Sequence, residues 1–268
     1  MTAWLTFQHY MQQHSMRKLL FILSVLIAHC SFGQLYLGAK AGLSIPNLQA
    51  GGSNPLTSGW SSSLGPEFGL ISELKITHRF SIRAELNYSS QGGKRYGLQG
   101  FDPSQFFSPL PPGIPQYVYV DVKNDFKLNY LELPVLAKLN FPLGKRWSFF
   151  TEAGPYLAYL IKAHVISKGS SFVYADPGGT QKLLVDGNPF YFTVDQNTDV
   201  LTELKKLNFG VQAAVGVSLQ TGNGIALLSI GGNYGFIPIQ KDKSNGSNNT
   251  GAAIVTVGYL FKIPHHHR

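Results

Sequence analysis

Few side chains in this sequence have the type and company needed for bond-making chemistry. The single cysteine, Cys30, falls in a leader-like segment. The rest of the chain therefore offers no thiol nucleophile, disulfide or thiolate metal ligand. His164 and Ser167, with loop acids Asp176, Asp186, Asp195 and Asp199, supply the residue types of a hydrolytic set. Catalysis would need base and nucleophile within hydrogen-bond reach, and nothing in their spacing fixes that geometry. The aspartates match no calcium loop and read as solvated loop acids. His265, His266 and His267 read as a frayed tail, and no glycine-rich phosphate loop joins a strand to a helix. The expectation is a non-enzymatic protein with no catalytic residue, cofactor or metal.

A second set of ionisable residues is more informative. Glu67, Glu73, Lys75, Arg83, Glu85, Glu132, Lys138, Glu152 and Lys162 all fall on the polar side of segments with strict apolar/polar alternation. They carry both signs. If that side lines the inside of a closed sheet, pairing is nearly compulsory, because an unpaired buried charge is costly. The expected role is structural: a lumen ion-pair network that fills a barrel.

Eight such segments must position them: about Leu35 to Leu43, Leu64 to Ile76, Phe80 to Tyr88, Phe126 to Phe141, Trp147 to Lys162, Leu207 to Leu219, Ile225 to Phe236 and Ala252 to Ile263. In the third, Phe80, Ile82, Ala84, Leu86 and Tyr88 alternate with Ser81, Arg83, Glu85 and Asn87. Period two is the strand signature. Short turns at Thr77–His78, Pro142–Lys145 and Thr221–Gly224 alternate with long polar loops. No apolar helix long enough to cross a bilayer follows the leader. A bilayer otherwise admits only an edge-free sheet. The fold expected is all-β: an eight-stranded antiparallel up-and-down transmembrane β-barrel with short periplasmic turns and long extracellular loops.

Alternation alone leaves a soluble lipocalin-like barrel open, with the apolar face inward. Three features favour lipid outside. The polar face is rich in Gly, Ser and Asn and thin in charge. Aromatics gather at both ends of the apolar face, with Phe80, Phe141, Trp147 and Phe261 toward the turns and Tyr88, Tyr159, Phe209 and Phe236 toward the loops. Turn and loop lengths alternate around the chain. Charged residues make up only 13% and hydrophobic ones 44%, against an ordinary charged share of about 25%. The net charge of +8 comes from scattered basic residues, which argues against nucleic acid as a partner.

Met16, Arg17 and Lys18, the apolar run Leu19 to Ala28, and Ser31, Phe32 and Gly33 form a three-part signal peptide with a cut expected before Gln34. The organisation expected is 1–33 signal peptide, with Met16 the true start, 34–264 barrel and 265–268 tail. The loop Gln91 to Asn124 interleaves prolines with Phe101, Phe106, Phe107, Tyr117 and Tyr119. That set is either a loop binding surface or a loop packed on itself. Val165 to Lys205 reads as a hairpin continued beyond the membrane.

The leader ending Phe32-Gly33-Gln34, the strand Gly38-Ala39-Lys40-Ala41-Gly42-Leu43, the run Tyr130-Leu131-Glu132-Leu133-Pro134-Val135-Leu136, and Gly154-Pro155-Tyr156 with Leu160 resemble the PorT-family outer membrane barrels of Bacteroidetes. The resemblance covers nearly all of the chain after the leader and reports barrel construction more than activity. It implies an outer membrane protein whose partners are membrane lipid and cell-surface or secretion-machinery proteins, and it supplies no catalytic residues. The rival functions are a narrow channel or transporter component, a barrel hydrolase and a soluble periplasmic ligand carrier.

Overall fold

The computed structural model describes residues 33–50, 54–242 and 246–264. The expected signal peptide, apart from Gly33, and the histidine tail lie outside the described residues. The chain forms β1 (Gln34–Ala50), β2 (Gly65–Lys75), β3 (Phe80–Phe101), β4 (Val118–Pro142), β5 (Trp147–Tyr174), β6 (Leu184–Val185), β7 (Asn188–Pro189), β8 (Tyr191–Asp199), β9 (Leu207–Gln220), β10 (Gly224–Gly235) and β11 (Asn248–Lys262). One 3-10 turn, Pro103–Gln105, is the only helical piece among the described residues.

Eight of these strands have an antiparallel partner on each side, in the ring order β1, β2, β3, β4, β5, β9, β10, β11 and back to β1. The register can be followed all the way round: Leu35 opposes Leu74, then Ile82, Ala137, Ala153, Ala213, Gly232 and Ala253, which opposes Ile45. The path returns to β1 ten residues beyond its start. With a rise of about 3.3 Å and a strand spacing of about 4.8 Å, that stagger over eight strands tilts them by about 40° and leaves an interior that side chains can fill.

Burial is inverted relative to a water-soluble barrel. Arg83 and Lys138 are each 1% exposed, whereas Leu70 is 63% and Ile230 58% exposed. The apolar side of the alternation faces out on every barrel strand, and the polar side lines the axis. Within the lumen an apolar layer of Tyr36, Phe150, Ile225, Leu227 and Leu260 lies toward the short turns. A second, of Leu48, Leu128, Tyr130, Tyr156, Leu160, Leu204 and Ile239, lies toward the loops. The ionic residues occupy the belt between them.

Several strands outrun their alternation. β3 was expected to end near Tyr88 and β4 to begin near Phe126, yet they stay paired out to Phe101 and Val118. β5 runs on to Tyr174, with β8 added along its edge. In the wing these four strands build beyond the barrel, the β5–β8 hairpin falls in the Val165 to Lys205 segment expected to continue past the membrane. The reach of β3 and β4 left little trace in the sequence, because backbone pairing does not require the side-chain pattern to continue. Gly92 marks the departure. Its φ of +121° suits glycine, and a Cβ there would lie 2.0 Å from the Phe126 carbonyl oxygen. Gly92→Ala is expected to lower the unfolding free energy by about 1–3 kcal/mol, as read by urea titration. No loss would mean that the bend relaxes without glycine.

Candidate functional site

Alternation on β2, β3, β4 and β5 aims the predicted charges at one another across the lumen. Arg83 is the hub. Its Nη2 lies 2.7 Å from Glu73 Oε2 and its Nη1 2.7 Å from Glu152 Oε2, with Glu85 Oε1 at 3.9 Å. Nε also donates to Glu73 Oε2, at 3.1 Å. The Glu152 contact is an ion pair that is not aligned as a hydrogen bond. Lys138 Nζ donates to both Glu73 oxygens, at 2.9 and 3.2 Å, and sits 4.4 Å from the centroid of the Phe150 ring. An ammonium over a ring face gains further where water is excluded.

The sequence reading missed Lys40. Its Nζ lies 2.8 Å from Glu85 Oε2 and 3.6 Å from Glu67 Oε1, which ties β1 into the network. The signal was present, since Lys40 alternates on the polar side with Tyr36, Gly38 and Gly42. Glu132 is equally buried but makes no ion pair among the described residues. It accepts from Gln91 Nε2 at 3.4 Å and Asn233 Nδ2 at 3.3 Å.

Two predicted members stand apart. Lys75 is half-buried at the short-turn mouth and makes no ion pair among the described residues. Lys162 is exposed outside the barrel, which corrects its assignment to the lumen. The cause is a β-bulge: Tyr130 opposes Leu160 and Asn129 opposes Lys162, so Ile161 is an extra residue on β5 and the facing reverses after it.

Of the two readings of the aromatic loop, the ring contacts match the loop packed on itself. Phe106 meets Phe192 edge-on at 4.9 Å and Phe101 at 6.0 Å, and Phe107 lies 5.1 Å from Phe190. These rings pack on Val118, Val120, Val122, Val173 and Leu183 to make a small core in the wing. All five are half-buried; Phe101, Phe106 and Phe107 pack against this cluster, and Tyr117 and Tyr119 lie outside it. The five do not form one exposed patch.

The imagined hydrolytic set is not assembled. His164 Nδ1 is 3.2 Å from Asn197 Oδ1, and Ser167 Oγ donates to Asn124 Oδ1 at 2.6 Å. Asp176 instead caps its own loop. It accepts from the backbone N–H groups of Gln181, Thr180 and Gly178, and these donors, Gln181 foremost, hold its carboxyl below the usual range. Among the described residues no group of three or more His, Cys, Asp or Glu side chains could hold a metal ion.

Comparison with known proteins fits this geometry. The family model described as "Outer membrane protein beta-barrel domain" matches residues 12–241. The comparison with curated proteins gives no match. Among solved structures the chain is similar to Neisserial surface protein A, with 14% identity and a TM-score of 0.43 over 85% of this chain and 97% of that one. It is similar to OprG of Pseudomonas aeruginosa, with 8% identity and a TM-score of 0.39 over 87% and 97%. It is also similar to Ail of Yersinia pestis, solved with the heparin analogue sucrose octasulfate, with 12% identity and a TM-score of 0.35 over 85% and 99%.

Proposed function

This chain belongs to the outer membrane protein β-barrel domain family, and on that premise we propose that it is a sealed, non-enzymatic membrane barrel that presents a folded β-wing for contact with partners. The plugged lumen carries this reading. Between the ionic belt and the β9–β11 wall only about 10 Å³ stays open, beside Lys40, Arg83, Glu85 and Glu152, which is room for about one water. Salt bridges and apolar layers close the axis above and below.

The outer surface supports a span through lipid. Phe149 and Tyr159 stand ten residues apart on β5, about 25 Å along the axis at a tilt of about 40°, which matches the apolar band of such barrels. Phe141, Trp147 and Phe261 are exposed at one level, and Phe209 and Phe236 at the other. In this reading the short turns are periplasmic, the wing is extracellular, and the chain is exported behind a signal peptide ending at Gly33. The residues quoted above favour kinship with the PorT group of Bacteroidetes. The partners are outer membrane lipid and cell-surface or secretion-machinery proteins. The wing has a means of meeting them: β8 closes the sheet order, so its far edge offers backbone groups for strand addition.

Planar-bilayer recording tests the plug. Reconstituted protein is expected to give no ohmic steps, and steady steps that survive deletion of the wing would establish a channel instead.

A further inference from the structure

Beyond the plugged lumen, the loop end encloses a cavity of about 430 Å³ that the sealed-barrel reading does not use. That volume lies in the range of metabolite-sized ligand sites. One side of its lining is apolar: Leu48, Trp60, Phe126, Val200, Leu204 and Ile239. Trp60 and Phe126 touch each other, with ring centroids 5.7 Å apart and planes tilted by 57°, and so form one aromatic wall against which a flat apolar body can lie.

The polar groups in these walls have unused donors. Arg95 lines the cavity half-buried, makes no ion pair with a carboxylate among the described residues, and donates to the backbone carbonyls of Pro55 and Leu56. A guanidinium has five N–H donors, so several are left over. Glu203 and Asp242 also line the cavity, but both are exposed to solvent, so Arg95 is the charge least shielded by water. The Trp60 indole N–H and the Thr57 hydroxyl are buried and meet no acceptor in the protein. Buried donors without acceptors are uncommon, and here two stand beside an unpaired cation and an apolar floor.

We propose that this cavity is a binding site for a small amphipathic anion, with a flat apolar body against Trp60 and Phe126 and a carboxylate-type head at Arg95. The site lies at the mouth of the barrel, so a ligand enters from the loop side without crossing the plug.

The probe is 2-naphthoate, titrated against the refolded full chain while tryptophan emission is followed. The neutral isostere 2-naphthalenemethanol reports the contribution of the charge. Saturable quenching is expected, about tenfold tighter for the acid than for the alcohol. Arg95→Gln is expected to weaken the acid about tenfold and abolish that preference, Arg95→Lys to retain part of it, and Trp60→Phe to remove most of the quenching. Leu204→Trp, which fills the floor without touching Arg95, is expected to abolish binding, so two independent variants report on the site if one disturbs the loops. Linear, non-saturating uptake, which is what micelle partition gives, would overturn the proposal. So would an acid affinity unchanged in Arg95→Gln, or one retained in Leu204→Trp.

Discussion

Ile230→Arg is expected to lower the unfolding free energy by about 2–4 kcal/mol in phospholipid vesicles, whereas Leu207→Arg costs about 0–1 kcal/mol. Both residues are more than half exposed on the outer face, so area bookkeeping in water would not separate them. Depth does. Ile230 lies midway along β10, opposite Val215 and Val255, far from either aromatic level. Leu207 begins β9, two residues beyond Phe209 on the loop side. An arginine at Leu207 reaches headgroups and water, whereas one at Ile230 must snorkel or drag water into hydrocarbon. Urea unfolding followed by tryptophan emission reads both changes. Equal effects within about 0.5 kcal/mol, the ordinary spread for surface substitutions, would mean that the outer wall faces water, and the soluble-carrier reading would return.

The same periodicity that makes this prediction possible set the limit of what the sequence could reveal. Ser81, Arg83, Glu85 and Asn87 alternate without interruption, so which way Arg83 points was legible once the sheet was taken as closed. Lys162 was not. Its apparent phase continues from Glu152 through Tyr156, and only the inter-strand register exposes the extra residue at Ile161. The core of the wing was hidden for another reason: Phe106, Phe107, Phe190 and Phe192 come from segments far apart in sequence, and their packing is purely tertiary. Trp60 and Arg95 gave no periodic signal, because the cavity they line is assembled from loops and strand ends.

Arg83→Met is expected to cost about 3–5 kcal/mol, the range for breaking a buried ion pair from one side. The side chain contacts Glu73 and Glu152 at 2.7 Å, with Glu85 nearby, so its removal leaves four buried carboxylates, these three and Glu67, with Lys40 and Lys138 to balance them. Glu73 keeps Lys138 and Glu85 keeps Lys40, whereas Glu152 has no other ion pair among the described residues. Glu152→Gln in the Arg83→Met background should therefore recover part of the loss, with a coupling of about 0.5–3 kcal/mol in a double-mutant cycle. Lys162→Met, outside the network, is expected to stay within about 0.5 kcal/mol of the parent. An Arg83→Met loss below about 1 kcal/mol would mean that water already solvates the lumen carboxylates. The axis would then be wet rather than sealed, and the bilayer recordings of the parent protein should show the conductance that the plug forbids.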